Sequence, residues 1–451
     1  MSIQPQTTES DGEKRYSNWE SFEFTNLDGS KIGLQKELLK AIYGRGFVAP
    51  SPTQQKCLPV VLSAYPIKAT AAETATGTAA ETATGTAAET ATVTAVEYEY
   101  KDAILQAQSG TGKTLTFGIA SVFQLLRRYN LGYRLCANRP SVLILSPTRE
   151  LAAQTYSRLS ELTTYTNIRI ERCIGGISER ENVMALNAGV DIVIGTPGRV
   201  RELVARGKLI GSELMLIVLD EADRMLHPED GFIDELVAIL GGQSYIPENC
   251  QFTIYSSTFP PDVLSTILRR RLLRDDAIKV LMNVEDLPLA GISQFKIEIP
   301  EAQKVEVLSD LYSSLNISQT MIFTNTKQQC NKIHSKLSED GFTIHQLTSD
   351  TPPNERIQIH DDFVNGRIRI LVTTDVMARG IDIKGVSYVI NVDIPKNMET
   401  YYNRVGRTGR YGCKGVAINL VSPDDVKKIS AIEQFYSIRI EAMPENFIEY
   451  A

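Results

Sequence analysis

Histidine, tryptophan and closely spaced cysteine are what this 451-residue chain has least of. It holds four His and one Trp, and its six cysteines stand far apart, at 57, 136, 173, 250, 330 and 413, with no C-x-x-C pair. A structural zinc site needs Cys and His at short spacing, and a disulfide framework needs a dense cysteine set, so neither is expected. The matching expectation is a reducing compartment, cytoplasmic or nuclear. No apolar run approaches the roughly 20 residues that cross a bilayer, so no membrane association is expected. The opening stretch MSIQPQTTESDGEKRY lacks the apolar segment of a secretory signal. Excess positive charge is missing too: the formal balance is -7. That argues against nucleic acid bound over the whole surface, while leaving room for a local basic groove.

Large apolar side chains, Val93 excepted, are missing from residues 71–94, which read AAETATGT, AAETATGT and AAETATVT. A solenoid unit needs on the order of 20 residues, far more than this period. The segment offers too little burial to offset the entropy of ordering, and its Thr and Gly weaken a helix. The expectation is a disordered surface insertion over about 68–97.

The rest of the chain alternates strand and helix. Short apolar runs at 103–105, 142–145, 191–194, 214–219 and 252–255 are each followed at once by polar or Gly-rich residues: AQSGTGKT, SPTRE, GTPGR, DEAD and SST. A second series follows at 320–323, 343–347, 369–372, 387–392 and 416–421. Continuous apolar strands separated by helices predict a parallel sheet covered on both faces. Ligands of such sheets gather at the carboxyl ends of the strands, where these polar tails lie. The spacing predicts an α/β chain of two tandem parallel-sheet lobes: a polar tail over 1–20, a first lobe over 21–284, a linker over 285–302 and a second lobe over 303–451.

The tails carry the chemistry. In AQSGTGKT, Ser109, Gly110, Thr111 and Gly112 follow a strand and precede a helix, so their backbone can approach a pyrophosphate. Lys113 is then placed for the outer phosphates and Thr114 for Mg²⁺. In VLDEAD, Asp220 ends a strand and is a candidate to hold Mg²⁺, and Glu221 to orient and deprotonate water. The other reading of this pair is an acidic cluster at a helix N-terminus. No Asn-Lys-x-Asp element for guanine is present, so ATP is the expected nucleotide. Gln54 carries an amide suited to adenine, donating to N7 and accepting from N6.

Taken in order, GFVAPSPTQQ (Gly46, Phe47, Pro50, Gln54), AQSGTGKT, PTREL, Gly175-Gly176, TPGR, DEAD, SST, TTDVMARGID and RVGRTGR resemble the motifs of a DEAD-box RNA helicase, of the minimal kind found in the translation-initiation branch. The resemblance implies two RecA-like lobes, ATP and Mg²⁺ in the cleft between them, and single-stranded or short duplex RNA bound without strong sequence preference. It also implies a monomeric motor whose targets are set by protein cofactors. It assigns adenine stacking to Phe22, with Phe24 or Trp19 as alternatives. It gives ribose contact to Asp382, nucleotide binding to Gly380 as well, and the arginine fingers to Arg407 and Arg410. RNA contacts fall on Thr148, Arg149, Gly176, Thr196 and Arg199 in the first lobe and on Thr324, Arg356, Thr374 and Arg379 in the second. These hydroxyls, backbone amides and cations suit phosphate and 2′-hydroxyl recognition. Ser256, Thr258, Asn403 and Arg404 are the implied lobe-coupling residues.

Three positions depart from the family pattern. Ser257 stands where S-A-T has alanine, Asn403 where the last motif usually has histidine, and Pro353 where Gln-x-x-Arg has glutamine, although Arg356 is kept. These changes bear on coupling between the lobes. The expected activity is RNA-stimulated ATP hydrolysis driving local, non-processive duplex separation. The alternative is an ATP-gated RNA clamp with little unwinding.

Overall fold

A computed structural model describes residues 18–25, 31–62, 64–66, 98–107, 112–130, 132–133, 135–227, 232–241, 246–259, 263, 265–267, 272–281, 292–314, 319–375, 386–408 and 415–444. The repeat at 71–94 lies outside them.

The first sheet contains β1 (Ala103–Gln106), β2 (Val142–Leu145), β3 (Ile170–Cys173), β4 (Ile192–Gly195), β5 (Leu216–Leu219), β6 (Gln251–Ser256) and β7 (Ile278–Val280). Its order is β7-β1-β6-β5-β2-β4-β3, with every pairing parallel. The apolar runs are continuous because both faces are buried. Val142 and Ile144 join one core cluster while Leu143 and Leu145 join the other. Leu216 and Val218 divide in the same way from Ile217 and Leu219. This is the two-residue period of a strand read on both sides at once.

The helices that matter here are α1 (Lys36–Gly44), α2 (Pro52–Leu62), α3 (Lys113–Asn130), α4 (Arg149–Leu162), α5 (Glu179–Asn187), α6 (Pro197–Ala205), α7 (Ala222–Met225) and α8 (Phe232–Gly241). Four of them start at strand tails: α3 after β1, α4 after β2, α6 after β4 and α7 after β5. Thr148 caps α4 by accepting from the Leu151 amide, so the PTREL tail is both turn and helix start.

The second sheet holds β8 (Ile292–Glu298), β9 (Thr320–Phe323), β10 (Ile344–Leu347), β11 (Ile370–Thr373), β12 (Tyr388–Asn391), β13 (Gly415–Val421) and β14 (Glu441–Ala442). Its order is β10-β11-β9-β12-β13-β8-β14, again all parallel. Its helices are α9 (Lys304–Ser314), α10 (Lys327–Glu339), α11 (Pro353–Val364), α12 (Met398–Val405) and α13 (Val426–Tyr436).

One expectation of the sequence needs correcting. The segment read as a linker over 285–302 contains β8, which pairs along its whole length with β13. Pro288, Gly291 and Pro300 mark a tether, yet between the last two Ile292 and Phe295 are buried in the second lobe, which secures the strand. The strands Ile170–Cys173 and Ile278–Val280 also carry no continuous apolar run: burial of Ile170, Ile278 and Val280 is only partial.

Candidate active site

The carboxyl edge of the first sheet collects the nucleotide residues. Lys113 opens α3 and is 8% exposed, an unusual burial for lysine that calls for an anionic partner. Gly112 has φ +101°, and a Cβ there would meet Gln54 Nε2 at 2.3 Å, so only glycine fits. Gln54 lies against this turn: its Nε2 donates to the Gly112 carbonyl at 3.4 Å and its Oε1 accepts from the Ser51 amide at 2.7 Å. Each amide atom keeps one further hydrogen or lone pair, which preserves capacity for adenine. Ser109, Gly110 and Thr111 lie outside the described residues, as do Arg379, Gly380, Asp382 and Arg410.

Beside Lys113, Asp220 directly follows β5 and is 2% exposed. Burial raises its carboxyl to about 6, with the Lys113 charge pulling the other way. Glu221 follows in the left-handed region, φ 52° and ψ 55°. For a residue with a Cβ this costs on the order of 1–3 kcal/mol and is found where function over-determines the backbone. Burial raises the Glu221 carboxyl, Asp223 and Asp220 push the same way, and the charges of Lys113 and Arg407 oppose. Its Oε2 is sealed from solvent without a hydrogen-bond partner.

The next tail holds the DEAD turn in place. Ser256 Oγ accepts from the Asp223 amide at 3.2 Å, and Thr258 Oγ1 donates to Asp223 Oδ2 at 3.4 Å. Both serve within the first lobe. The contact across the cleft comes from the residue between them: Ser257 Oγ donates to Asn403 Oδ1 at 3.4 Å. Arg404 does not couple the lobes either. Its Nε and Nη2 meet Asp375 at 2.6 and 2.9 Å, Nη1 donates to the Asp393 carbonyl, and Nη2 to Asn325 Oδ1. With 0% exposure, that guanidinium is a pillar of the second lobe. Arg407, also fully buried, donates from Nε to the Asn403 carbonyl at 3.1 Å.

Phe22 is another correction. Its ring is 0% exposed, stacked on Phe24 at a centroid distance of 6.1 Å and tilted against Trp19. Phe24 is in turn edge-on to Phe123 of α3. Phe22, Phe24 and Trp19 are all core residues here, and none opens a ring face to a ligand.

The RNA candidates divide by lobe. Arg149 is exposed and its guanidinium lies over Gly175, where a Cβ would meet Nη2 at 2.5 Å; Gly176 has φ +95°. Thr196 precedes α6 and its side chain makes no capping bond. Arg199 is engaged, donating to the Ile177 carbonyl and Asn182 Oδ1 and pairing with Glu202. In the second lobe Thr324 is fully buried and donates to the Thr326 carbonyl, Thr374 is 9% exposed, and Arg356 reaches across to Glu150. Those three are not on an open surface. Motif reading singles out neither Glu150 nor Asp375, and it marks Ser257 and Asn403 as departures without pairing them. Glu150, Asp375 and Ser257 lie inside quoted motifs, but each partner is distant in sequence.

Residues 86–267 match the family model described as DEAD/DEAH box helicase, and residues 303–412 that of the helicase conserved C-terminal domain. The chain is 37% identical over 92% of its length to "ATP-dependent RNA helicase eIF4A" of Aspergillus niger, of which it also covers 92%. It is 38% identical to "Eukaryotic initiation factor 4A" of Caenorhabditis elegans, over 92% of this chain and 91% of that protein. Among solved structures, S. cerevisiae Dbp5 bound to RNA and ADP BeF3 is similar at TM-score 0.73 and 29% identity, over 91% of this chain and 93% of that one. A Dbp5 complex with Nup159, Gle1, IP6 and ADP is similar at TM-score 0.60 and 29% identity, over 92% and 96% of the two chains. Two parallel-sheet lobes, a phosphate-loop lysine beside a buried DEAD turn and full-length likeness agree: the chain belongs to the DEAD-box family of ATP-dependent RNA helicases.

Proposed function

We propose that this chain is an RNA-stimulated ATPase that uses closure of its two lobes for local, non-processive separation of short RNA duplexes, or for remodelling of RNA–protein assemblies. The observation that carries this reading is the setting of Glu221. Its sealed, unpartnered oxygen is acted on by Lys113 from its own lobe and by Arg407 from the other.

The residues fit ATP and Mg²⁺. The Gly112 turn admits no side chain, Lys113 is a buried cation, and Asp220 is a buried carboxylate that a divalent ion would neutralise. Among the described residues no group of three or more Asp, Glu, His and Cys could hold a metal alone. Thr114 and Asp220 would therefore share Mg²⁺ with phosphate oxygens. ATP supplies the phosphoanhydride bond, and Mg²⁺ neutralises part of its charge. Lys113, with the backbone of Ser109, Gly110, Thr111 and Gly112, holds the outer phosphates. Glu221 orients the attacking water and takes its proton. Arg407 and Arg410 meet the charge that develops, a contribution on the order of 10³–10⁵ in rate for such arginines. Gln54 reads adenine, Asp382 reaches the ribose, and Gly380 lies with it in the nucleotide site.

RNA would lie along Thr148, Arg149, Gly176 and Thr196, with Arg379 on the second lobe. The likeness to Dbp5 bound to RNA and ADP BeF3 exceeds that to its Gle1- and Nup159-bound form, which supports reading the lobes here as arranged for RNA and nucleotide. With no base-reading set, its address would come from protein cofactors acting on a monomeric motor in the cytoplasm or nucleus. No described helix is long and apolar enough to cross a membrane. The lobes would span 21–284 and, with β8 included, 292–451. Strand displacement on a short RNA duplex, run beside RNA-stimulated ATP hydrolysis, tests the proposal. Displacement that requires ATP supports it, whereas ATP-dependent RNA retention with no displacement means a clamp.

A further inference from the structure

Two of the three departures from the family motifs meet in space. Ser257, in place of the alanine of S-A-T, follows β6 in the first lobe; Asn403, in place of the usual histidine, lies in α12 of the second. Their side chains make the 3.4 Å hydrogen bond already described, and they are 5% and 4% exposed. Burial at this level demands a partner for each polar group. Alanine opposite Asn403 would offer none. A serine hydroxyl donates and accepts, so it serves the amide in either orientation.

Both ends of the pair are anchored to catalytic machinery. The Ser257 carbonyl accepts from Gln106 Nε2 at 3.2 Å, and the neighbouring Ser256 carbonyl accepts from the Ala107 amide at 2.9 Å. Gln106 and Ala107 lead directly into the phosphate loop. At the other end, the Asn403 carbonyl accepts from Arg407 Nε. A short chain of contacts therefore runs from the phosphate loop through Ser257 and Asn403 to the arginine that acts on Glu221.

We propose that Ser257 and Asn403 form a positioning pair: an uncharged hydroxyl–amide bond that sets α12, and with it the Arg407 guanidinium, against the first lobe when the cleft closes. It rests on the roles given above to Glu221 and Arg407. Asn403 Nδ2 stays buried without a partner, at a cost of about 1–3 kcal/mol, so the pair aligns a closure that ligand binding must still drive.

The test is RNA-stimulated ATP hydrolysis by the full-length chain carrying S257A, N403A, both together, or S257T. A neutral hydrogen bond supports about a fivefold effect. Each alanine variant should lower kcat about fivefold while KM for ATP stays within about twofold. The double variant should lose no more than either single one, and S257T, which keeps the hydroxyl and tests the pair even if S257A folds poorly, should stay within about twofold of wild type. Losses that multiply in the double variant, single variants with wild-type kcat, or S257T as impaired as S257A would each overturn the pair while leaving the ATPase intact. A wild-type chain without RNA-stimulated turnover would overturn the reading beneath it as well.

Discussion

Arg356, in the first turn of α11, places Nη1 3.3 Å from Oε1 of Glu150, in the first turn of α4, and so ties the second lobe to the first. The side chains are 18% and 15% exposed, so solvent screens this pair far less than a surface ion pair. Arg356 is braced by the carbonyls of Ser349 and Thr351. Its neighbours in sequence predict an RNA contact; its position makes it a strut between lobes. Reversing one charge, Glu150→Arg or Arg356→Glu, should lower RNA-stimulated hydrolysis about tenfold, worth some 1.4 kcal/mol. Combining the two should recover part of the loss. Initial rates at saturating RNA check this, and a combined variant no better than the singles would refute a direct pairing.

In the role proposed for it Glu221 would act as a base only when ionised, and burial together with two neighbouring carboxylates holds its proton on above the ordinary range. Hydrolysis by the wild-type chain should therefore rise with pH through that raised pKa. Glu221→Gln should lose on the order of 10²–10⁴ in kcat and the acid limb with it, while nucleotide still binds. Rate–pH profiles and nucleotide titrations of both proteins make the comparison.

Asp220 carries the opposite consequence for stability. Its folded carboxyl is raised to about 6 from 3.8, so the folded form binds a proton more tightly than the unfolded chain. Its favourable contribution is complete below pH 3.8 and is lost as pH rises through about 6. Without nucleotide, Asp220→Asn should gain on the order of 1–2 kcal/mol over wild type at pH 8 and little at pH 4. Denaturant unfolding at the two pH values measures the difference, and activity should be lost in the same variant.

The described segments on either side of residues 67–97 meet at one place. Ala64–Pro66 pairs antiparallel with Tyr98–Tyr100, setting Pro66 opposite Tyr98. Replacing 68–97 by a short turn should therefore keep RNA-stimulated turnover within about twofold, because a loop whose ends already meet adds little closure entropy. Collapse of activity would give the repeat a role in the motor.

Much of this architecture can be read before any coordinates. Runs such as VLIL at 142–145 announce buried parallel strands because both their faces meet helices, and the polar tails mark the ligand edge for the same reason. What escapes reading is pairing at a distance. Arg404 sits in a motif associated with the cleft, but its partner Asp375 stands in another motif and both belong to one lobe. Phe22 is equally suited to stack on adenine or on Phe24, and only the packing around Phe123 decides for the core. β8 was hidden by its flanking Pro300 and Gly291, because its pairing with β13 depends on residues over a hundred positions away.

Nucleotide and RNA together should bring Arg407 to Glu221 by joining the two lobes. Met184 on α5 and Phe435 on α13 are 63% and 51% exposed and lie outside the cleft residues, so dyes attached through Met184→Cys and Phe435→Cys report the distance between the lobes. A non-hydrolysable ATP analogue with Mg²⁺ and a single-stranded oligoribonucleotide should raise energy transfer together, and neither should do so alone. Transfer that stays at its ligand-free value with both present would contradict the account.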